Sequence, residues 1–221
     1  MTRNVVSMDA READHRFANH LALLAGFVRL KAADLARQPV EPTTDGVQLL
    51  LEGVRAQIEA IADLHRSLAS GSRFGRADLK EQLHKVCAPF SSLVGGRIAL
   101  IEDVSPDCQV SPDRVLPVTQ IVSEIITNAI KHAYPPGQSG TILVRGRADE
   151  AGTIVIEILD EGPGFPEGFD ARSNRGLGFV MVGALAKQLG GRVEFDSEHA
   201  GLRFRLTLPS EGEPFRGSYM E

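Results

Sequence analysis

A chain of 221 residues with 24 Lys and Arg against 29 Asp and Glu carries a formal charge of −5, which argues against a nucleic-acid binder, since that would need a basic face to neutralise phosphates. Hydrophobic residues make up 43% and charged residues 24%, the balance of one large globular domain or two small ones. No apolar run approaches the ~18 residues of a membrane span, no signal-peptide core opens the chain, and neither Cys87 nor Cys108 has a CxxC partner. The expectation is a reduced, cytoplasmic protein with no zinc site, no disulfide framework and no membrane-borne sensor.

Residues 9–38 read as one long helix, because Phe17, Leu21, Leu24, Val28 and Leu35 fall in a narrow stripe at ~100° per residue. QPVEPTTDG (38–46) breaks it with two prolines, an Asp and a Gly. A second helix, about 44–70, spaces Val47, Leu51, Val54, Ile58, Ile61, His65 and Leu68 alternately four and three apart, a coiled-coil-like seam. Joined by a short loop, the two helices form an antiparallel hairpin. A hairpin of that size cannot bury an adequate core alone, so pairing with a second copy into a four-helix bundle, a homodimer, is predicted.

ASGSRFGR (69–76) reads as a hinge. Beyond it a helix is expected over 77–94, a strand over 97–103, and a helix from the Ser111–Pro112 pair to about Ala133. Strands follow at 140–148 and 153–160, a helix at about 177–189, and a hairpin at 192–197 and 202–208. The mixture predicts an α+β sandwich, a mixed sheet with helices on one face. The expected division is a helical hairpin over 9–70, an α+β domain over 76–209 and a disordered tail over 210–221.

Three segments of the second domain carry chemistry. In VSEIITNAIKHAY (122–134), Glu124, Asn128 and Lys131 share one helix face opposite Ile121, Val122, Ile125, Ile126 and Ala129. Oxygen donors one turn apart suit Mg²⁺ and the ammonium suits phosphate, although a solvated polar face looks the same. In ILDEGPGFP (158–166) a strand ends in Asp160, a carboxylate able to accept a hydrogen bond from an exocyclic amine. Gly162 and Gly164 follow and permit close backbone approach; a plain Gly-Pro turn is the simpler explanation. In NRGLGFVMVGALAKQLGG (174–191) Gly176 and Gly178 open a helix whose free N–H groups favour phosphate, though a lone GxG is common punctuation.

Together and in this order, the three resemble the N, G1 and G2 boxes of the GHKL ATP-binding fold shared by histidine kinases, type II topoisomerases, Hsp90 and MutL, over about residues 77–209. The resemblance implies ATP and Mg²⁺ as ligands. It implies that Glu124 polarises the attacking group, that Asn128 ligates the metal, and that Lys131 contacts phosphate with His132 beside it. Asp160 would bind the adenine amine, and Gly162, Gly164, Gly176 and Gly178 would shape pocket and lid. No clear F box stands in 165–175, so a compact lid, mobile when empty, is expected.

On the first helix His15 lies about 150–160° from the apolar stripe by helical periodicity, between Glu12 and Asn19 on the outward face. A flanking carboxylate can hold one ring proton and leave the other nitrogen free to attack, although a merely solvated histidine fits the same pattern. EADHRFANHLALLAGFVRLKA (12–32), continued by ADLHRSLA in the second helix, resembles the phosphoacceptor hairpin of the HisKA_2 class of histidine kinases, and the likeness extends over 9–209. The related HWE class fits less well, because the chain has no Trp and Ser123 stands where that class has a histidine. Asp14, Ala18 and His20 depart from the class pattern of His, Lys and Asn. The loss of a lysine one turn from His15 bears on the rate and direction of phosphotransfer.

The resemblance implies a histidine kinase of two-component signalling that autophosphorylates on His15 and passes the phosphoryl group to an aspartate of a separate response-regulator receiver. The main alternative is a phosphotransfer or scaffold protein with a vestigial ATP fold. An anti-sigma-type serine kinase would lack the hairpin. A topoisomerase-like or chaperone-like ATPase would need a further domain after 209.

Overall fold

A computed structural model of the chain describes residues 3–37, 43–69, 76–134, 137–166, 176–197 and 201–211; within the helices the side chains of 3–17, 19, 34, 45, 63–65 and 67–69 lie outside that description. The tail after 211 and the lid segment 167–175, and with them the expectations of disorder and mobility there, fall outside it too. Two long helices, α1 (Arg3–Arg37) and α2 (Thr44–Ala69), come first. After them come β1 (Ala77–Asp78), α3 (Leu79–Leu93), β2 (Ile98–Val104), β3 (Gln109–Val110) and α4 (Pro112–His132). The chain then continues through β4 (Gly140–Ala148), β5 (Ile154–Asp160), α5 (Leu177–Gln188), β6 (Arg192–Asp196) and β7 (Arg203–Leu208).

Local chemistry sets several of these boundaries. Asp78 caps α3, its carboxylate accepting from Lys80 N–H at 2.8 Å. Ser111 takes the extended N-cap position of α4 and Pro112 the first turn. The Ser111 hydroxyl makes no cap bond; instead its N–H donates to Glu211 at 2.6 Å. Thr43 serves the start of α2 by accepting from Gly46 N–H at 3.1 Å.

Five strands form a mixed sheet in the order β2-β4-β5-β7-β6, parallel only between β2 and β4, while β1 and β3 pair separately. Alternation assigns the two faces. Ile142, Val144, Ile154, Ile156, Ile158, Val193, Phe204, Leu206 and Leu208 point into the core under α3, α4 and α5. The opposite face is a ladder of charge: Arg147 pairs with Asp103 at 2.6 Å, Arg205 with Glu157 at 2.8 Å and Arg192 with Glu194 at 2.6 Å. The hydrogen bond from Arg147 holds the Asp103 carboxyl below the usual aspartate range. Cys87 and Cys108 are buried free thiols.

The hairpin packs on the sandwich as well as on itself. Its predicted apolar stripes do not seal it within the chain. Leu21 is 44% exposed and Val28 41%; on α2, Val47, Leu51 and Ile58 are 37%, 60% and 50% exposed. What α1 buries is His20 and Phe27, with Leu23 and Leu30 packed beside them. What α2 buries is Leu49, Gly53, Ala56, Gln57, Ala60 and Ile61. The second face exists because the hairpin lies against the sandwich, α2 along α3 and α4, and α1 against α5. Each helix therefore carries two apolar faces, one docked in the chain and one open.

Candidate functional site

The central helix α4 is the most enclosed element, with every residue from Val115 to Thr127 buried. Its C-terminal turns, the end of β5, the turn 161–166 and the β6–β7 hairpin enclose a cavity of about 380 Å³. Asn128, Ala129 and His132 form one wall, Asp160, Pro163 and Gly164 another, and Phe165, Phe179, Phe195 and Phe204 the apolar remainder.

Asp160 is fixed by the backbone around it. Its Oδ1 accepts from Gly162 N–H at 2.9 Å and from Leu202 N–H at 3.2 Å. Both bonds fall on Oδ1 and neither on Oδ2. Burial pushes the Asp160 carboxyl up, and the two backbone bonds pull against that shift. Gly201, at φ 105°, lies so close to the Asp160 carbonyl that a β-carbon there would overlap it. Gly162 is pressed on the end of α4: a β-carbon would lie 2.5 Å from Ala133 Cβ. Gly164, at φ 71°, turns the chain along the cavity wall.

The four phenylalanines are what the sequence analysis did not find. Phe165, Phe179 and Phe195 stand edge to face or tilted with centroids 5.1–6.1 Å apart, and Phe195 meets Phe204 at 5.3 Å. Such pairs add about 0.5–1.5 kcal/mol beyond area burial and offer a flat apolar ring a matching wall. Phe195 and Phe204 are cross-strand partners in the β6–β7 register; that signal is legible once the hairpin register is known.

The structure divides the helix face that the sequence put together. Asn128 and His132 line the cavity. Lys131 lines a separate hollow with Thr43, Gln48, Arg97 and Tyr134. Glu124 is 3% exposed and lines neither; it forms an ion pair with Lys31 of α1 and abuts Gly178 at the start of α5. Gly176 is the N-cap of α5, with open space where a side chain would be. His15 lies in α1, and its side chain is outside the described residues, as is that of His65. Among the described residues no group of three His, Cys, Asp or Glu side chains forms a metal cage. The amide oxygen of Asn128 fits Mg²⁺ as a single protein ligand, since that ion keeps waters and phosphate oxygens for the rest of its shell.

A mixed sheet under three helices, with Asp160 at a strand end lining a largely apolar cavity, is the sandwich of the GHKL class. Residues 113–212 match the family of histidine kinase-, DNA gyrase B- and HSP90-like ATPases, and residues 12–94 match the HisKA_2 histidine kinase family. The chain thus carries a HisKA_2 segment followed by a domain of the histidine kinase-, DNA gyrase B- and HSP90-like ATPase family, whose nucleotide is ATP.

Known proteins agree. The sensor histidine kinase PdtaS of Mycobacterium tuberculosis is 27% identical over 213 residues, covering 94% of this chain and 41% of that protein. Blue-light-activated histidine kinase 2 of Erythrobacter litoralis is 23% identical over 90% of this chain and 56% of its own length. The chain therefore spans about half the length of these curated relatives, or less. In fold, the histidine kinase domain of the Erythrobacter litoralis blue-light-activated enzyme superposes with a TM-score of 0.66 at 21% identity, covering 90% of this chain and 93% of that one. No described helix is long and apolar enough to cross a membrane.

Proposed function

We propose that this chain transfers the γ-phosphoryl group of ATP to His15 and then to an aspartate of a separate receiver domain. The observation that carries the proposal is the Asp160 cavity, on the same chain as a hairpin of the HisKA_2 family. Asp160 would accept the adenine amine through Oδ2, and the phenylalanine wall would cover the base. Asn128 would hold Mg²⁺, which neutralises phosphate charge when bound. His132, on the same wall, would contact phosphate. The work of the protein is then positioning and charge neutralisation.

The open stripe of Leu21, Val28, Val47, Leu51 and Ile58 supports a homodimer through a four-helix bundle. We divide the chain accordingly, into 9–70 for dimerisation and phosphotransfer and 76–209 for catalysis. The test is incubation with γ-labelled ATP. Acid-labile label that disappears in His15→Ala is expected; label that persists in that variant overturns the assignment.

The burial of Glu124 against Lys31, away from the cavity, favours one second reading, a phosphotransfer protein that does not use its ATP fold. Calorimetry separates them: Mg²⁺-dependent ATP binding that is lost in Asn128→Ala supports the kinase, and its absence in the unmodified protein supports the alternative.

A further inference from the structure

The Glu124 carboxylate, which the kinase reading needs for polarisation, is closed on every side that the structure describes. Lys31, 12% exposed, reaches from α1 to its Oε2. Gly178 of α5 lies against its Oε1, close enough that any side chain there would overlap it. Leu30, Leu177 and Met181 line the same spot, and the space left is about 10 Å³, at the lower limit for a single water. Asn128, one turn along the same helix, faces the cavity; Glu124 does not.

The contact that brings Lys31 there is polar in a way that suits an interface that opens. Gln57 of α2 is fully buried, and neither its amide nitrogen nor its oxygen has a hydrogen-bond partner. The amide nitrogen of Gln120 on α4 is buried without a partner as well. Gly53, one turn before Gln57, packs on Ser123 of α4, so this is the face where hairpin and sandwich meet. Orphaned amides penalise the docked state and regain water when the helices part. A buried ion pair contributes little net stability but fixes one arrangement against others. Docking is thus opposed by the amides and keyed by one pair of charges.

We propose that the Lys31–Glu124 pair is an autoinhibitory latch: it holds the α1–α2 hairpin on the catalytic sandwich and keeps Glu124 out of the phosphoryl transfer until the hairpin lets go. The inference rests on the kinase reading for the role of Glu124, but the clamp itself is physical and separately measurable. When the hairpin lifts, Lys31 leaves with α1, and the carboxylate becomes free to turn along α4 towards the Asn128 side of the helix.

The test uses the full chain and two substitutions of Lys31, with circular dichroism to confirm that each variant is folded. Lys31→Met keeps the length of the side chain and removes the charge; Lys31→Arg keeps the charge. Amide hydrogen exchange over 24–35 is measured without nucleotide, and the initial rate of His15 labelling is measured with Mg·ATP. The expected result is exchange at least tenfold faster and labelling several-fold faster in Lys31→Met, with Lys31→Arg close to the unmodified protein. Unchanged exchange in Lys31→Met overturns the clamp. Faster exchange with unchanged or slower labelling overturns the inhibitory role, and slower labelling makes Lys31 a positioning residue for Glu124 instead. Faster exchange with no histidine label in any of the three proteins leaves the clamp standing and removes the kinase reading.

Discussion

Gly178 and Glu124 occupy one contact: the bare α-carbon at the start of α5 is seated on Oε1 of the buried carboxylate, and a methyl group there would overlap it. The GxG that opens this helix is therefore partly a packing requirement. At Gly178 the absent side chain makes room for α4.

Gly178→Ala should therefore destabilise the protein by about 1–3 kcal/mol, the usual cost of overpacking. The same substitution in a Glu124→Ala background should cost less, with a coupling of at least ~0.5 kcal/mol in the double-mutant cycle. Thermal or urea unfolding of the four proteins measures it. Strict additivity would mean that the strain is relieved elsewhere and that the contact is unimportant.

Asp160 makes a prediction about pH. Burial raises its carboxyl above the ordinary aspartate value, so the native state binds the proton more tightly than the unfolded state. This group therefore weakens the nucleotide-free fold fully above the raised value. The penalty is relieved as pH falls through that value and is gone below the unfolded one. Amine recognition needs the ionised form, so nucleotide affinity should change in the opposite sense and be lost as pH falls through the same window. Asp160→Asn should flatten both differences and weaken binding at neutral pH by about 1.5–3 kcal/mol, the range for a charge-assisted hydrogen bond, or roughly 10- to 150-fold. Calorimetric titration and unfolding across the acid range would read both. An unmodified protein whose ATP affinity is flat with pH would remove Asp160 from base recognition.

The aromatic wall separates a stability role from a binding role. Phe204 is fully buried at the base of the cavity, and Phe204→Ala should cost about 3–5 kcal/mol of stability. Phe195 is only partly buried and faces the cavity together with Phe165 and Phe179. Phe195→Ala should cost less stability while weakening ATP at least as much as Phe204→Ala does at a temperature where both are folded. Equal effects on stability and no effect of Phe195→Ala on ATP would show that the ring is core alone.

The longer elements and the three motifs were legible in the sequence because each is a local pattern, whereas the two-residue strands β1 and β3, which exist only through their pairing with each other, were not. The strand ending at Asp160, the Gly-rich turn and the Ser111–Pro112 helix start all fall where periodicity and turn chemistry put them. Which face of a helix meets which neighbour was not legible, since that depends on tertiary docking. Seven positions from Glu124 to Lys131 return nearly to the same azimuth, so the sequence joins them in one site. The structure places them in different surroundings, because α1 and α5 close over the first while the start of α2 stands beside the second. Leu21 and Leu51 were legible as members of apolar stripes, whereas the docking of the hairpin's other face on the sandwich was not. Periodicity finds an apolar stripe but does not say which partner covers it.

That uncovered stripe gives the last prediction. Leu51 and Ile58 project from α2 at 60% and 50% exposure, and Val47 and Val28 continue the band. An isologous bundle would bury each of them twice, once per copy, and fully burying a leucine or isoleucine is worth about 1.5–3 kcal/mol. Leu51→Lys combined with Ile58→Lys should therefore convert a dimer to a 23.8 kDa monomer, by sedimentation equilibrium at micromolar protein. Both side chains are at least half exposed in their own chain, so nucleotide affinity and the unfolding of the sandwich should stay within about 0.5 kcal/mol of the unmodified protein, the range for surface changes. His15 labelling in that monomer then reports whether one chain can serve itself: label that survives means the cavity reaches its own hairpin, and label that vanishes while ATP still binds means the phosphoryl group crosses between copies. An unmodified protein that is already monomeric at high concentration would refute the bundle.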